Sequence, residues 1–236
     1  MAGTLALVGS GEFLDSMRPV DAVLLERVGG AAQARVVVIP TAAVPDGPQV
    51  VARWAALGTA HFSGLGSAVA AAAITTRQHA DDPQMIARIA AANFVYFSGG
   101  KPGTLLRILI GTGAWAAVQS VYEHGGVLAG CSAGAMILGS HLIEPRLRFG
   151  WPWAFVEAFG LVHESIVVPH YDAGATRVGG LLAHSLPPGL TLIGVDEQTA
   201  LVSDDRGWQV LGRAGAELRR RGWRRAYRSG ERLNLG

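Results

Sequence analysis

Gly126-Val127-Leu128-Ala129-Gly130-Cys131-Ser132-Ala133-Gly134-Ala135-Met136-Ile137-Leu138 runs from an apolar strand, through a glycine-framed turn, into an apolar helix. Gly126 to Ala129 shows no polar alternation, which marks a strand buried on both faces. Ser132 to Leu138 reads as the helix that follows. The turn between them has the form G-x-S-x-G. So sharp a reversal would make side chains two residues either side of the serine collide, and glycine fills both places. The hydroxyl then stands clear of the sheet at a helix N-terminus, where partial positive charge favours a developing anion. With 32 glycines in the chain, the motif alone says little. The strand before it and the helix after it make it a candidate nucleophile elbow rather than an inert crossover. Cys131 competes as nucleophile, but its neighbours two away are Ala129 and Ala133. The glycine frame therefore belongs to Ser132, and Cys131 is expected under the turn.

Outward from this stretch, short apolar runs alternate with helix-like segments. Leu5 to Val8, Val36 to Ile39 and Phe94 to Phe97 read as further buried strands. Helices are expected over Asp15 to Val28, Val50 to Leu57, from the Asp81-Asp82-Pro83 cap to Ala92, over Thr104 to Ile110, and over Ala114 to Tyr122. Buried strands separated by helices make a mainly parallel sheet in an α/β fold. From Ile193 the pattern changes. Leu192 to Val195, Ala200 to Val202, Gln209 to Leu211 and the arginine-rich tail read as consecutive strands, an antiparallel C-terminal extension of the sheet. The alanine-rich stretch 68–73 is the one low-complexity block.

Half of the 236 residues are apolar and 16% are charged, as in one compact soluble domain spanning residues 1–236. Such a chain buries roughly 70% of its unfolded surface and needs no disulfide or metal to hold a core. A single cysteine excludes a disulfide framework and a multi-cysteine metal site. The apolar runs break long before a membrane span, and Met1 to Val8 is too short for a secretory signal. A cytoplasmic location is the expectation. The net charge of +2 hides an asymmetry: residues 213–236 hold eight of the 20 basic groups and two of the 18 acids. Nineteen of the 20 are arginine, used throughout as the solubilising cation. The tail is therefore expected as solvated strands rather than a nucleic-acid surface.

Ligands of open parallel sheets bind beyond the carboxyl ends of the strands. Ser132 sits there, and a serine hydroxyl needs a base to take its proton. Of seven histidines, His170 follows the apolar strand Ser165 to Val168 and is expected on the same sheet edge. An orienting acid fits at Asp196-Glu197, after Leu192 to Val195; Glu144 is an alternative in a proline-flanked loop. Acyl transfer also requires two N–H donors aimed at the oxyanion. Ala133 supplies one, and the Gly99-Gly100 loop is a candidate for the other.

Phe97-Ser98-Gly99-Gly100, Ala129-Gly130-Cys131-Ser132-Ala133-Gly134-Ala135, Val168-Pro169-His170-Tyr171 and Ile193-Gly194-Val195-Asp196-Glu197-Gln198-Thr199-Ala200-Leu201-Val202 follow one another along the chain. In that order they resemble the serine peptidases that include cyanophycinase and aspartyl dipeptidase (peptidase E). The resemblance runs from the first strand to about Gly212. It implies a three-layer fold similar to class I glutamine amidotransferases, with helices on both faces of the sheet. It also implies a Ser132–His170–Glu197 triad, and it selects Glu197 over Asp196. Gly100 becomes the second oxyanion donor beside Ala133.

Departures from the family bear on substrate. Cyanophycinases carry Asp-Gln before the catalytic histidine, where this chain has Val168-Pro169. They have arginines soon after it, where this chain has Ala173-Gly174-Ala175-Thr176, and Asp-Gln after the glycine pair, where it has Lys101-Pro102. Cyanophycin is thus disfavoured. Gly174-Ala175-Thr176-Arg177 is closer to the aspartyl dipeptidase segment whose arginine pairs with the substrate carboxylate. Arg177 and Lys101 are the expected substrate-binding cations, since a planar guanidinium suits bidentate pairing with a carboxylate. The expectation is a serine hydrolase that cleaves short peptides through an acyl-enzyme, needing no metal or organic cofactor. Its partner is a small peptide, not nucleic acid or membrane, and assembly into a homo-oligomer is left open. Two rivals share the fold: an esterase or amidase with the same triad, and a catalytically silent binding domain.

Overall fold

In the computed structural model, residues 3–145, 153–175, 182 and 185–235 are described. Five parallel strands form the centre: β1 (Thr4–Val8), β2 (Arg35–Ile39), β3 (Ala68–Ala71), β4 (Phe94–Phe97) and β5 (Val127–Cys131), in the order β1-β5-β4-β2-β3. The apolar runs are strands because both of their faces are covered. Leu5, Leu7, Val37, Ile39 and Phe97 enter one cluster, and Ala6, Val8, Val36, Val38 and Tyr96 enter the other. Each fully buried side chain of Val, Leu or Phe size contributes about 1.5–3 kcal/mol.

Helices α1 (Arg18–Glu26) and α2 (Pro48–Ser63) cover the second cluster with Leu24 and Phe62. The opposite face takes α3 (Arg77–Ala80), α4 (Pro83–Ala90), α5 (Pro102–Leu109), α6 (Gly113–Glu123) and α7 (Ala133–Met136), with Ile89, Leu105 and Val118 inward. The helix starts follow local chemistry. Asp82 accepts from the Gln84 N–H at 2.7 Å, and Pro83 opens α4 at a first-turn position where the N–H that proline lacks would have had no helical partner. The result is the three-layer α/β architecture expected.

β10 (Thr199–Asp204), β11 (Gly207–Gly212) and β14 (Arg232–Leu233) extend the central sheet antiparallel beyond β1. One expectation needs correction: the strands do not make one sheet. β6 (Gly139–Pro145), β7 (Trp153–Glu157), β8 (Val162–Val168), β9 (Thr191–Val195), β12 (Gly215–Arg220) and β13 (Trp223–Arg228) form a second sheet, ordered β13-β12-β9-β8-β6-β7. β8 and β9 pair parallel there, not in the sheet that holds Ser132. One face of this sheet, with Val167, Ile193 and Val195, packs into the helix-covered cluster. The other, with Ile166 and Leu192, has its own cluster around Tyr171. Both kinds of strand present the same apolar run, so periodicity could not tell the sheets apart.

Three local readings also change. The helix after Ser132 is one short turn, because Gly139 opens β6 almost at once. Glu144 lies in that strand rather than in a loop. The alanine-rich stretch supplies edge strand β3, held by pairing of Ala68–Ala71 with β2 despite alanine's weak strand preference. In β13, an edge strand, Arg224, Arg225 and Arg228 are exposed, charges that discourage pairing with another edge. Among the described residues no single helix is long and apolar enough to cross a membrane.

Candidate active site

The carboxyl end of β1 gathers the site. The Val8 carbonyl accepts the Ser132 N–H at 2.9 Å, and the next carbonyl, Gly9, accepts the His170 N–H at 3.3 Å. Gly9 also donates to the Thr199 carbonyl at 2.9 Å. A Cβ on Gly9 would stand 2.0 Å from the Asp196 carbonyl oxygen, so only glycine lets the turn after β9 lie against this strand end. Ser10 Oγ accepts the Gln198 N–H at 3.3 Å. Ends of both sheets are thereby pinned to Val8, at the end of β1, and to the two residues that follow it.

Ser132 sits at φ 51°, ψ −110°, a conformation rare for a residue with a side chain. Its frame is steric. A Cβ on Gly130 would lie 2.2 Å from the Gly134 carbonyl oxygen, and one on Gly134 would lie 2.5 Å from the Phe97 carbonyl oxygen in β4. His170 (φ 50°), Gln198 (φ 52°) and Phe13 (φ 64°) share the positive φ. His170 lies against Ser132, and Gln198 and Phe13 directly follow Glu197 and Glu12, so four of the five described non-glycine residues with positive φ belong to or adjoin residues of this site, as expected where function over-determines the backbone.

The side chains meet. Ser132 Oγ is 3.1 Å from His170 Nε2, and His170 Nδ1 is 2.8 Å from Glu197 Oε1. A carboxylate only accepts, so Nδ1 carries the imidazole proton and Nε2 is bare toward the serine hydroxyl. The Glu197 N–H donates to Asp172 Oδ1 at 2.8 Å, fixing the turn that carries the acid. Asp196 points elsewhere: its Oδ2 accepts the Gly215 N–H at 3.0 Å. Burial, with the charges of Asp172 and Glu217 adding to it, raises the Asp196 pKa. Tyr171 anchors the histidine turn from the far side. Its ring fills the space a side chain on Gly194 would need, and its hydroxyl donates to Glu217 Oε1 at 2.9 Å.

Gly100 lies at φ 141°, where a Cβ would come within 2.3 Å of the Ala42 carbonyl oxygen. Among the described residues the N–H groups of Gly100 and Ala133 have no hydrogen-bond partner. The neighbouring Lys101 N–H donates to the Ala42 carbonyl at 2.8 Å.

A model of peptidase family S51 matches residues 5–211, a span that includes Ser132, His170, Glu197 and the Gly99-Gly100 loop. The chain belongs to peptidase family S51. It is similar to a peptidase from an acI-B1 Actinobacterium, known from a crystal structure, at 32% identity and a TM-score of 0.88, over 100% of this chain and 98% of that one. It shares its fold with a putative peptidase E protein from Listeria monocytogenes EGD-e, at 17% identity and a TM-score of 0.65, over 91% of this chain and 100% of that one. No curated protein matches it.

The remaining expected residues of this S51 chain are less concentrated. Lys101 is exposed at the start of α5, beside Gly100. Arg177 lies outside the described residues. Glu144 is placed over the start of α5, where a Cβ on Gly103 would meet its Oε1 at 2.6 Å, while Glu197 takes the contact with His170. Cys131 is fully buried, and burial, then the nearby Glu12 carboxylate, pushes its thiol pKa well up. Among the described residues no cluster of three or more His, Cys, Asp or Glu could hold a metal ion. Sequence reasoning missed Gly9, Ser10, Glu12 and Asp172. The signal for the first three was present: a Gly-Ser-Gly-Glu run at the carboxyl end of a parallel strand, where ligand sites form.

Proposed function

We propose that this S51 chain is a serine peptidase that hydrolyses short peptides through an acyl-enzyme on Ser132. The observation that carries the reading is the unbroken path from Ser132 Oγ through the His170 ring to Glu197, at 3.1 and 2.8 Å. In the first half-reaction Ser132 Oγ attacks the peptide carbonyl carbon as His170 Nε2 takes its proton. Glu197 holds the ring's tautomer and stabilises the imidazolium. Negative charge developing on the carbonyl oxygen meets the N–H groups of Gly100 and Ala133, and one such donor is typically worth about 3–4 kcal/mol in the transition state. The C–N bond breaks, the amine leaves with the proton from His170, and water then repeats the cycle to release the carboxylic acid.

Short substrates fit an open site. The side chains of His170 and Glu197 are 45% and 42% exposed, so among the described residues a peptide has direct access to them from solution. Lys101 beside the glycine loop, with Arg177, is assigned to a substrate carboxylate, which favours peptides with an aspartyl or other acidic residue over cyanophycin. A fluorophosphonate tests the chemistry directly. It is expected to modify Ser132, mapped by mass spectrometry, and to abolish cleavage of aspartyl dipeptides. A folded protein that leaves Ser132 unlabelled refutes the reading. Turnover of simple esters without any peptide cleavage moves the activity to an esterase.

A further inference from the structure

Glu12 takes no part in the proton path, yet its carboxylate is tied at both oxygens inside the site. Oε1 accepts the Gly99 N–H at 2.9 Å, and Oε2 accepts the Cys131 thiol at 2.9 Å. These two donors stand at the ends of different strands, β4 and β5. Each is one or two residues from an unpartnered N–H: Gly99 precedes Gly100, and Cys131 precedes Ser132 and Ala133. The packing is close, since a Cβ on Gly99 would lie 2.7 Å from Glu12 Oε1 and 3.3 Å from Ser132 Cβ.

Two consecutive glycines form the most permissive dipeptide a chain can hold, so the direction of the Gly100 N–H is not fixed by its own backbone. It is fixed from outside. The Lys101 N–H is anchored to Ala42 on one side, and the Gly99 N–H to Glu12 on the other. Glu12 is itself held firmly. Phe13 adopts φ 64° and packs its ring against Tyr96, His61, Trp54 and Phe62 at centroid distances of 5.1–6.2 Å. Strain at Phe13 is thus offset by aromatic burial, and the neighbouring side chain is directed at the strand ends.

We propose that Glu12 is a positioning residue: its carboxylate ties the Gly99-Gly100 loop to the Ser132 turn so that the N–H groups of Gly100 and Ala133 converge on one oxyanion. A carboxylate so near a developing negative charge is electrostatically unfavourable. Its contribution is therefore geometric, and the acceptor oxygen matters rather than the charge. This separates the tether from an electrostatic role, because Glu12→Gln keeps an acceptor for Gly99 and removes the charge, whereas Glu12→Ala removes both.

The role in the reaction rests on the serine-peptidase reading, while the tether itself does not, and the experiment keeps the two apart. Fluorophosphonate labelling of Ser132, dipeptide kinetics and amide hydrogen exchange at Gly99 are measured on the wild type, Glu12→Ala and Glu12→Gln. Labelling and kcat are expected to fall at least tenfold in Glu12→Ala with KM within threefold. Glu12→Gln is expected to recover the wild-type rate to within threefold. The Gly99 amide is expected to be protected in the wild type and Glu12→Gln, and to exchange at least tenfold faster in Glu12→Ala. Labelling of Glu12→Ala within twofold of the wild type overturns the proposal, as does a Glu12→Gln as slow as Glu12→Ala. If the wild type itself does not label, the peptidase reading fails and exchange alone decides the tether: lost protection in Glu12→Ala supports it, and retained protection overturns it.

Discussion

Ser132 and His170 belong to different sheets, yet their side chains meet at 3.1 Å because their backbones hang from consecutive carbonyls, Val8 and Gly9. Adjacent carbonyls of extended backbone point to opposite sides, so Val8, which ends β1, and Gly9, which follows it, can hold one chain segment on each side. Ser132 arrives from the parallel neighbour β5, and His170 from β8 across the gap between the sheets. The separation of the Ser132 hydroxyl and the His170 ring is then set by one step along the chain, from Val8 to Gly9, with little freedom to drift. Positioning of this kind converts a chance encounter of groups into a standing arrangement, which is where much of an enzyme's advantage originates.

Ser132→Ala and His170→Ala are each expected to lower kcat by roughly 10⁴ to 10⁶-fold, and the double variant by no more than the worse single one. The two act as one unit, and residual rate comes from the oxyanion donors and binding. Circular dichroism and thermal unfolding should remain near wild type, since both side chains lie at a solvent-accessible strand end. Multiplying losses in the double variant would show two independent contributions instead.

Gly100→Ala tests the oxyanion loop. The new Cβ would lie 2.3 Å from the Ala42 carbonyl oxygen, at a φ of 141° that L side chains rarely adopt, so the loop must move. Loss of one oxyanion donor predicts a fall in kcat of about 10²–10³-fold with KM little changed. Gly125→Ala is the control. It has positive φ (87°) but open space around its Cβ, so strain of about 1 kcal/mol is expected with activity retained. Equal kinetics for the two variants would remove Gly100 from the site.

Much of this was legible in the sequence, for identifiable reasons. Leu5 to Val8 and Phe94 to Phe97 are apolar without alternation because the sheet is covered on both faces, and that pattern is local. The G-x-S-x-G frame is legible because sterics at Gly130 and Gly134 admit nothing larger. What could not be read is long-range. Val162 to Val168 looks like any buried strand, and only tertiary packing assigns it to a second sheet. Glu12 and Asp172 resemble ordinary polar loop residues until the fold brings Gly99, Cys131 and Glu197 to them. Motifs record short-range geometry, whereas the groups that align them are recorded only in the packing.

Asp21 and His61 form a buried pair away from Ser132, 1% and 6% exposed, with Oδ2 to Nε2 at 2.7 Å. Burial raises the Asp21 pKa, opposed by the hydrogen bond and charge of His61, and Oδ1 has no hydrogen-bond partner. A carboxyl whose folded pKa exceeds its unfolded value, about 3.9, contributes stability that is complete below that value and lost as pH rises through the folded one. Asparagine does not titrate. The stability of the wild type relative to Asp21→Asn, from urea unfolding at a series of pH values, is therefore expected to decline as pH rises through the acid range. A rising difference would mean that pairing outweighs burial at this site.

Cys131 is a test of its own, because it separates the two candidate nucleophiles that share the turn. Its thiol is fully buried, donates to Glu12 Oε2 at 2.9 Å, and has its pKa pushed up first by burial and then by that carboxylate. A raised thiol pKa means less thiolate at any given pH, and the thiolate is the reactive form. At about pH 8, close to the pKa of a free thiol, iodoacetamide should leave the native protein unmodified and alkylate it fully in guanidinium chloride. Cys131→Ala leaves one Glu12 oxygen without its donor, a loss of about 1–3 kcal/mol in stability, while Cys131→Ser restores a donor and recovers much of it. Turnover should survive in Cys131→Ser and vanish in Ser132→Ala. Rapid alkylation of the native thiol together with loss of activity would transfer the chemistry to the sulfur.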